Sequence, residues 1–216
     1  MTAQTLSETI TPRTAAMDVF GPIGVRMHFA AGEEIYAQEE PADLLYQVIE
    51  GSVRTSRLLT DGRRQIGNFY YPDDLFGVEA GDEHRFSAEA LSDCTILVVK
   101  RSAVRHCGEE RERLEGLIWA ATTHELGRTQ EHLFMLGRKS ACEKVACFLM
   151  ITAERVRSEL TTLTMSRQDM ADYLGLTIET VSRMLSQLQS SGIIEFAGCR
   201  SFRVTHPVRL ARLVTA

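Results

Sequence analysis

Glu179, Ser182 and Arg183 stand at i, i+3 and i+4, the spacing that puts three side chains on one face of an α-helix. Arginine can donate two hydrogen bonds to guanine O6 and N7, a carboxylate can accept from cytosine N4, and a small hydroxyl leaves room for a thymine methyl. The trio therefore has the chemistry of base-edge reading, provided that it lies near the N-terminus of a helix able to enter the major groove. The same residues would also suit an ordinary solvent-facing helix carrying a Glu–Arg pair, so the surrounding elements must decide between the two.

Those elements are clearly punctuated. Ser166-Arg-Gln-Asp169 has the S-x-x-D spacing of a capping box. Apolar Met170, Ala171 and Leu174 follow, then a Gly175-Leu176 turn and Thr177 as a second N-cap. The helix predicted from Ile178 towards Ser190 places Val181, Leu185 and Leu188 on one stripe, suited to packing on the first helix. Together these make a helix-turn-helix. Beyond Gly192, residues 193–196 and 201–205 flank Ala-Gly-Cys-Arg200, a predicted β-hairpin wing with Gly198 in its turn. Arg167, Gln168, Thr177, Thr180, Arg200 and Arg203 are candidate phosphate contacts, which would position the protein on a duplex without specifying sequence. Cys199 lies in the wing turn beside Arg200, where a cation would favour the thiolate and make the turn a candidate redox switch.

Residues 165–192 resemble the DNA-binding module of the CRP/FNR superfamily of bacterial transcription regulators, and LGLTIETVSR is most similar to its FNR/FixK branch. The resemblance implies that Glu179, Ser182 and Arg183 read a TTGA-type half-site, because the E-x-x-S-R pattern matches at all three positions.

Upstream, residues 25 to 100 are strand-like, interrupted about every ten residues by turn signals such as Ala31-Gly32, Glu50-Gly51, Asp61-Gly62 and Pro72-Asp73. Many short strands so spaced predict a small antiparallel sandwich or barrel. In order, G-E-x-I-Y, Y-x-V-I-x-G-x-V-R, D-G-R-R-Q-I and D-x-F-G resemble the β-roll of the same superfamily, so the likeness covers nearly the whole chain beyond residue 20. Pro72-Asp73-Asp74 replaces the family's Pro-Gly-Asp turn.

Residues 102–137 read as helical. Trp119, Leu126 and Leu133 recur at intervals of seven, with Leu114, Ile118 and Ala121 on an adjoining face. The second set can pack on the sandwich while the heptad stripe meets a partner helix, and the resemblance implies dimerisation there. His124 and His132, with Arg128 between them, are expected on a solvated face. After a hinge at 137–140, Ser140-Ala-Cys-Glu143 is another capping box, opening a helix with Val145, Phe148, Leu149 and Thr152 on its inner side. The expected architecture is α+β: a flexible arm over 1–20, an antiparallel β-roll of cyclic-nucleotide-binding type over 21–108, a dimerisation helix over 109–138, and a winged helix-turn-helix over 139–216.

Composition is that of an ordinary globular protein, with 44% hydrophobic and 25% charged residues. No apolar run approaches the ~18 residues that span a bilayer, and the first sixteen residues lack the basic and apolar regions of a signal peptide. No membrane partner is expected, and the expected location is the cytoplasm. The net charge of −5 conceals an asymmetry: residues 1–138 carry 14 Lys and Arg against 22 Asp and Glu, and residues 139–216 carry 10 against 7, giving −8 and +3.

The five cysteines, at 94, 107, 142, 147 and 199, contain no C-x-x-C pair, which supports neither a disulfide framework nor a zinc site. None precedes Cys94, so the N-terminal iron–sulfur ligands of oxygen-sensing family members are not expected. The cyclic-nucleotide cassette of the superfamily, F-G-E followed by R-S/T-A, is stretched here to Phe76-Gly-Val-Glu79 and Arg85-Phe-Ser-Ala88. One extra residue in each half misphases the polar groups. Haem would want an axial His or Cys, and the histidines at 28, 84, 106, 124 and 132 are isolated in sequence. The segment FGVEAGDEHRFSAEALSDC resembles the FixK-like branch, which implies an activator working without a cofactor. The implied partners are double-stranded DNA, a second copy of the chain, and RNA polymerase, the last through the 154–162 loop and the acidic 79–85 turn. The alternatives are a regulator gated by a cyclic nucleotide or another small ligand and, more distantly, a cupin-type enzyme. The latter needs clustered histidines with a carboxylate, and H-x-H, P-loop, nucleophile-elbow and H-E-x-x-H patterns are all missing. An enzyme is therefore not expected.

Overall fold

Turn residues divide the described residues up to Lys100 into eight short strands: β1 (Gly24–Phe29), β2 (Glu34–Tyr36), β3 (Leu44–Glu50), β4 (Val53–Leu58), β5 (Arg64–Tyr70), β6 (Leu75–Phe76), β7 (Ser87–Ala90) and β8 (Cys94–Lys100). The structure, a computed structural model, describes residues 20–156 and 158–215. The strands form two four-stranded antiparallel sheets, ordered β1-β8-β3-β6 and β2-β7-β4-β5. At Gly51, φ is 89° and a Cβ would come within 2.4 Å of the Asp93 carbonyl oxygen, so this turn requires glycine. In the Pro-Asp-Asp turn, Asp73 itself adopts φ 78°, the left-handed conformation that favours glycine.

Between the sheets lies a core that includes Phe29, Tyr36, Tyr46, Val48, Tyr70 and Phe76. On the outer face of the first sheet, Leu45, Leu97 and Val99 meet Phe20, Val104 and Leu114. Phe20 is buried and belongs to this core rather than to the arm assigned to 1–20; the rest of that arm lies outside the described residues. Helix α1 (Arg101–Val104) and a 3-10 turn (Gly108–Glu110) lead into α2 (Arg111–Arg138), whose 28 residues span roughly 42 Å. The hinge is narrower than expected. Gly137 and Arg138 stay helical, and the break falls at Lys139 and Ser140, Lys139 being extended at φ −90° and ψ 144°. The Ser140–Glu143 box then opens α3 (Ala141–Val156), with Val145, Phe148, Leu149 and Thr152 buried.

The remaining elements are β9 (Thr161–Thr162), α4 (Arg167–Leu174), α5 (Ile178–Ser190), β10 (Ile194–Ala197), β11 (Ser201–Val204) and α6 (Pro207–Thr215). The wing register pairs Glu195 with Arg203 and Phe196 with Phe202. Strand β9 adds a third strand that the sequence did not reveal, Thr161 pairing with Phe202. The 154–162 segment is thus only partly a loop: 154–156 complete α3, 161–162 form β9, and Arg157 lies outside the described residues.

One face of α2 departs from expectation. Below Leu114, Ile118 and Ala121, the same stripe continues through Glu125, Arg128, His132 and Met135. Glu125 accepts hydrogen bonds from Asn68 Nδ2 (2.8 Å) and Tyr70 Oη (3.1 Å). Arg128 donates to Asn68 Oδ1 and to the Phe69 carbonyl (2.8 Å). His132 stacks on Tyr173 with ring centroids 4.0 Å apart, its Nε2 2.8 Å from the Tyr173 carbonyl oxygen. This is a packed polar seam, not a solvated face; of the two histidines only His124 is exposed. The seam formed because buried polar groups are held wherever the facing element supplies partners. The two ends of the chain also share a core, since Ile66 and Phe69 of β5 join Phe148, Leu149, Met170 and Leu174. Among the described residues no helix is long and apolar enough to cross a membrane.

Candidate nucleic-acid interface

The site is built from the two helices that the capping residues announced. Ser166 caps α4, its hydroxyl accepting from the Asp169 amide at 3.0 Å while Asp169 Oδ2 accepts from the Ser166 amide at 2.9 Å. Gly175 ends α4 in the left-handed conformation at φ 62° and ψ 42°. Thr177 caps α5, accepting from the Thr180 amide at 3.3 Å. Val181, Leu185 and Leu188 are buried against α4 and the rest of the core; each such side chain contributes on the order of 1.5–3 kcal/mol. That burial fixes the rotation of α5, so its opposite side is free.

On that free side the sequence-predicted trio comes together within the first two turns. Glu179 and Arg183 are exposed and Ser182 is half-buried. Hydrogen bonds from its own backbone amide and from the Thr177 hydroxyl hold the Glu179 carboxyl below the usual carboxylate range. It is therefore an acceptor at neutral pH, the state that a cytosine amino group needs. Arg167, exposed at the start of α4, places Nη1 3.4 Å from Ser182 Oγ. Arg183 makes no ion pair within the chain among the described residues, and its guanidinium is available to an outside acceptor.

The candidate phosphate contacts divide into groups with different freedom. Arg167, Arg200 and Thr177 are exposed. Gln168 is exposed, but its amide donates to Asp172 Oδ1 at 2.7 Å. Arg203 is partly engaged by Glu195, 3.5 Å across the wing, and Thr180 is half-buried with its hydroxyl 3.2 Å from that of Thr177. The wing turn brings exposed Cys199 and Arg200 beside Ser166 and Arg167, in a shallow cleft also lined by Met165 and Phe196.

Trp119, Leu126 and Leu133 are 75%, 58% and 71% exposed on α2, and Phe134 next to them is 56% exposed. They form an apolar stripe opposite the packed seam. Patches of this kind mark interaction surfaces more often than solvated ones.

A cyclic nucleotide would need a cation on its phosphate and room for its sugar and base. Arg85, the cation of the stretched cassette, is exposed beside Asp82 and Glu83, while Glu79 accepts from the Arg85 amide at 3.3 Å and lies 3.7 Å from His84. Between the sheets, Tyr36, Tyr46, Tyr70, Phe76 and His84 pack ring against ring, Tyr36 stacking on His84 at 3.7 Å and Tyr70 on Phe76 at 5.1 Å. Tyr70 reaches Glu125 on α2 and closes that side. Burial pushes the Tyr36 and Tyr70 hydroxyls up and the His84 imidazole down, so all three are neutral at pH 7. The residues present do not fit a cyclic nucleotide. Among the described residues there is likewise no group of three His, Cys, Asp or Glu that could hold a metal ion, which the cupin alternative requires. Glu79 of the acidic 79–85 turn faces inwards, leaving Asp82 and Glu83 as its outward carboxylates.

The sequence did not reveal what holds α4 from the other side. Asp169 is 3% exposed, and its Oδ1 accepts from Arg54 Nη1 and Arg64 Nη2, both at 2.6 Å. Arg64 Nε also donates to Asp172 Oδ2 at 2.8 Å. The residues involved lie more than a hundred positions apart, and the only local signal, the capping box, already explained Asp169.

The profile of the Crp-like helix-turn-helix domain matches residues 143–213, and that of the cyclic nucleotide-binding domain matches residues 26–111. The chain is 44% identical over 201 residues to the nitrogen fixation regulation protein FixK of Azorhizobium caulinodans, covering 90% of this chain and 81% of the relative. It is 40% identical over 208 residues to FixK of Rhizobium meliloti, covering 94% and 95%. The solved structure of FixK2 from Bradyrhizobium japonicum matches with a TM-score of 0.85 at 44% identity, covering 90% of this chain and 98% of that one.

Proposed function

The chain belongs to the CRP/FNR family of transcription regulators, in its FixK-like branch, and from that premise we propose that it reads a palindrome of TTGA-type half-sites as a homodimer without an obligatory cofactor. The observation that carries this reading is that exposed Glu179 and Arg183, with half-buried Ser182 between them, share one side of α5 near the helix end that would meet base edges. Exposed Arg167, Thr177 and Arg200 would contact phosphates on either side of the bases, and Arg167 lies within 3.4 Å of Ser182. The exposed Trp119–Leu126–Leu133 stripe supports two-copy assembly, which would set the half-site centres about one helical turn apart. Independence from a cofactor is supported by the ring-filled roll and the outward Arg85. Activation would proceed through RNA polymerase, with the outward part of 79–85 and the 158–160 stretch before β9 as contact surfaces.

Selection from random duplexes by the purified, cofactor-free protein tests the reading. The expected product is a TTGA-type palindrome of fixed spacing; recovery of sequences without a shared motif overturns it. Exposed Cys199 adds a redox branch to the proposal, because oxidation would place bulk and negative charge opposite DNA phosphate. Peroxide should weaken DNA binding by the wild type more than by Cys199→Ser, and equal loss in both proteins removes Cys199 as a sensor.

A further inference from the structure

Helix α4 is held between two unlike surfaces. One side, through Met170, Ala171 and Leu174, is packed into the C-terminal core with α5. The other side carries Asp169 and Asp172, one turn apart, and faces the β4–β5 hairpin. There Arg54 and Arg64, on adjacent strands, close on the two carboxylates. Asp169 Oδ1 receives both guanidinium groups at 2.6 Å, Arg64 holds Asp172 Oδ2 through Nε at 2.8 Å and Nη2 at 2.7 Å, and the second arm of Arg54 pairs with Glu89 at 2.8 Å. Asp169 divides its two oxygens between duties, with Oδ2 serving the Ser166 cap and Oδ1 serving the roll.

We propose that Arg54 and Arg64 are positioning residues for DNA reading: clamping Asp169 and Asp172, they fix the angle at which α4, and with it α5, is presented by the roll. This rests on the DNA-reading, two-copy account above. Charge-assisted bonds to a guanidinium are directional, because its donors lie in one plane in a fixed fork. Apolar contact through Ile66 and Phe69 holds the same two parts together but tolerates sliding, since it has no preferred direction. The ion cluster therefore supplies orientation where the apolar contact supplies attachment. In a dimer, a change in that angle on each side alters the distance between the two recognition helices. The clamp should thus govern tolerance to half-site spacing and leave the choice of bases within a half-site alone.

The test compares wild type, Arg64→Gln, Asp172→Asn and the double variant on palindromes with the selected spacing and with one base pair added or removed. Asp172→Asn keeps Asp169 and both arginines, so it carries the test if Arg64→Gln fails to fold. The expected result is that the preference for the selected spacing falls about fivefold or more, the low end of coupling between distant sites. The base preferences within each half-site stay unchanged, and the double variant is no worse than the more affected single one. An unchanged spacing preference in folded variants, even with affinity lowered throughout, reduces the cluster to a structural role and overturns the proposal. If the wild type itself shows no base preference, the DNA reading fails first and the clamp falls with it.

Discussion

The interior of the roll and the outer side of α5 put polar side chains to different use. In the roll, Asn68, Gln47 and His84 are buried, and the tyrosines of the interior turn their rings on one another. In the helix-turn-helix, the apolar residues of α5 are buried while Glu179, Arg183, Arg167 and Arg200 face outwards. A family likeness spanning both regions thus carries different information in each. In the roll, the shape persists although its residues do not suit a cyclic nucleotide; in the helix-turn-helix, the chemistry required for base reading is present side chain by side chain. Under the proposed function, the roll does the work of a scaffold and the C-terminal part the work of a reader.

The contrast breaks most severely where the two regions meet. Asp169→Ala removes the acid of a capping box and leaves Arg54 and Arg64 facing each other without it. Stripping one partner from a buried ion cluster costs about 3–5 kcal/mol, a loss that denaturant unfolding will register. The same residue makes stability depend on pH. Burial raises its pKa, but the Ser166 donors and the two arginines outweigh burial and hold the folded carboxyl below its ordinary 3.8. The unfolded chain then takes up the proton first as pH falls. The contribution is complete above about pH 5 and is lost as pH drops through the unfolded value and on towards the folded one. Asp169→Asn should flatten this acid limb; equal limbs in both proteins would place the loss on other carboxylates.

This junction also marks where the sequence stopped being legible. The Ser166–Asp169 box, the Gly175 stop and the Thr177 cap are local, three or four residues wide, and each is found where the spacing placed it. The shared helix side of Glu179, Ser182 and Arg183 followed from the same local rule. Beyond local range, legibility fell. Strand β9 is two threonines long, too short for a periodicity. The polar stretch of α2 read as solvated because charge on a helix normally is, yet Arg128 and His132 find partners on Asn68, Phe69 and Tyr173, which no spacing rule connects to them. The Arg54–Asp169 pair spans 115 positions, and tertiary geometry alone brings it together.

The comparison sharpens at the outer face of α2, where apolar residues stand exposed between the two regions. Leu126→Glu would set two carboxylates against each other across a symmetric interface, and like charges so placed cost several kcal/mol. Sedimentation should show monomers at concentrations where the wild type is dimeric, with DNA binding correspondingly weaker. A Leu126→Glu protein that remains fully dimeric would move the interface away from the Trp119–Leu126–Leu133 stripe.

The reader itself is tested most directly at Arg183. Binding of wild type and Arg183→Ala should be measured on the selected palindrome and on a panel in which each half-site base pair is changed in turn. Loss of a bidentate contact costs about 1–3 kcal/mol per half-site. If α5 reads bases, that loss is concentrated at the guanine: the variant no longer distinguishes a guanine-substituted site from the parent, and its preferences at the other positions persist. If Arg183→Ala instead weakens binding by the same factor on every duplex and still discriminates at the guanine, Arg183 contacts phosphate, and the assignment of base reading to this face of α5 is wrong.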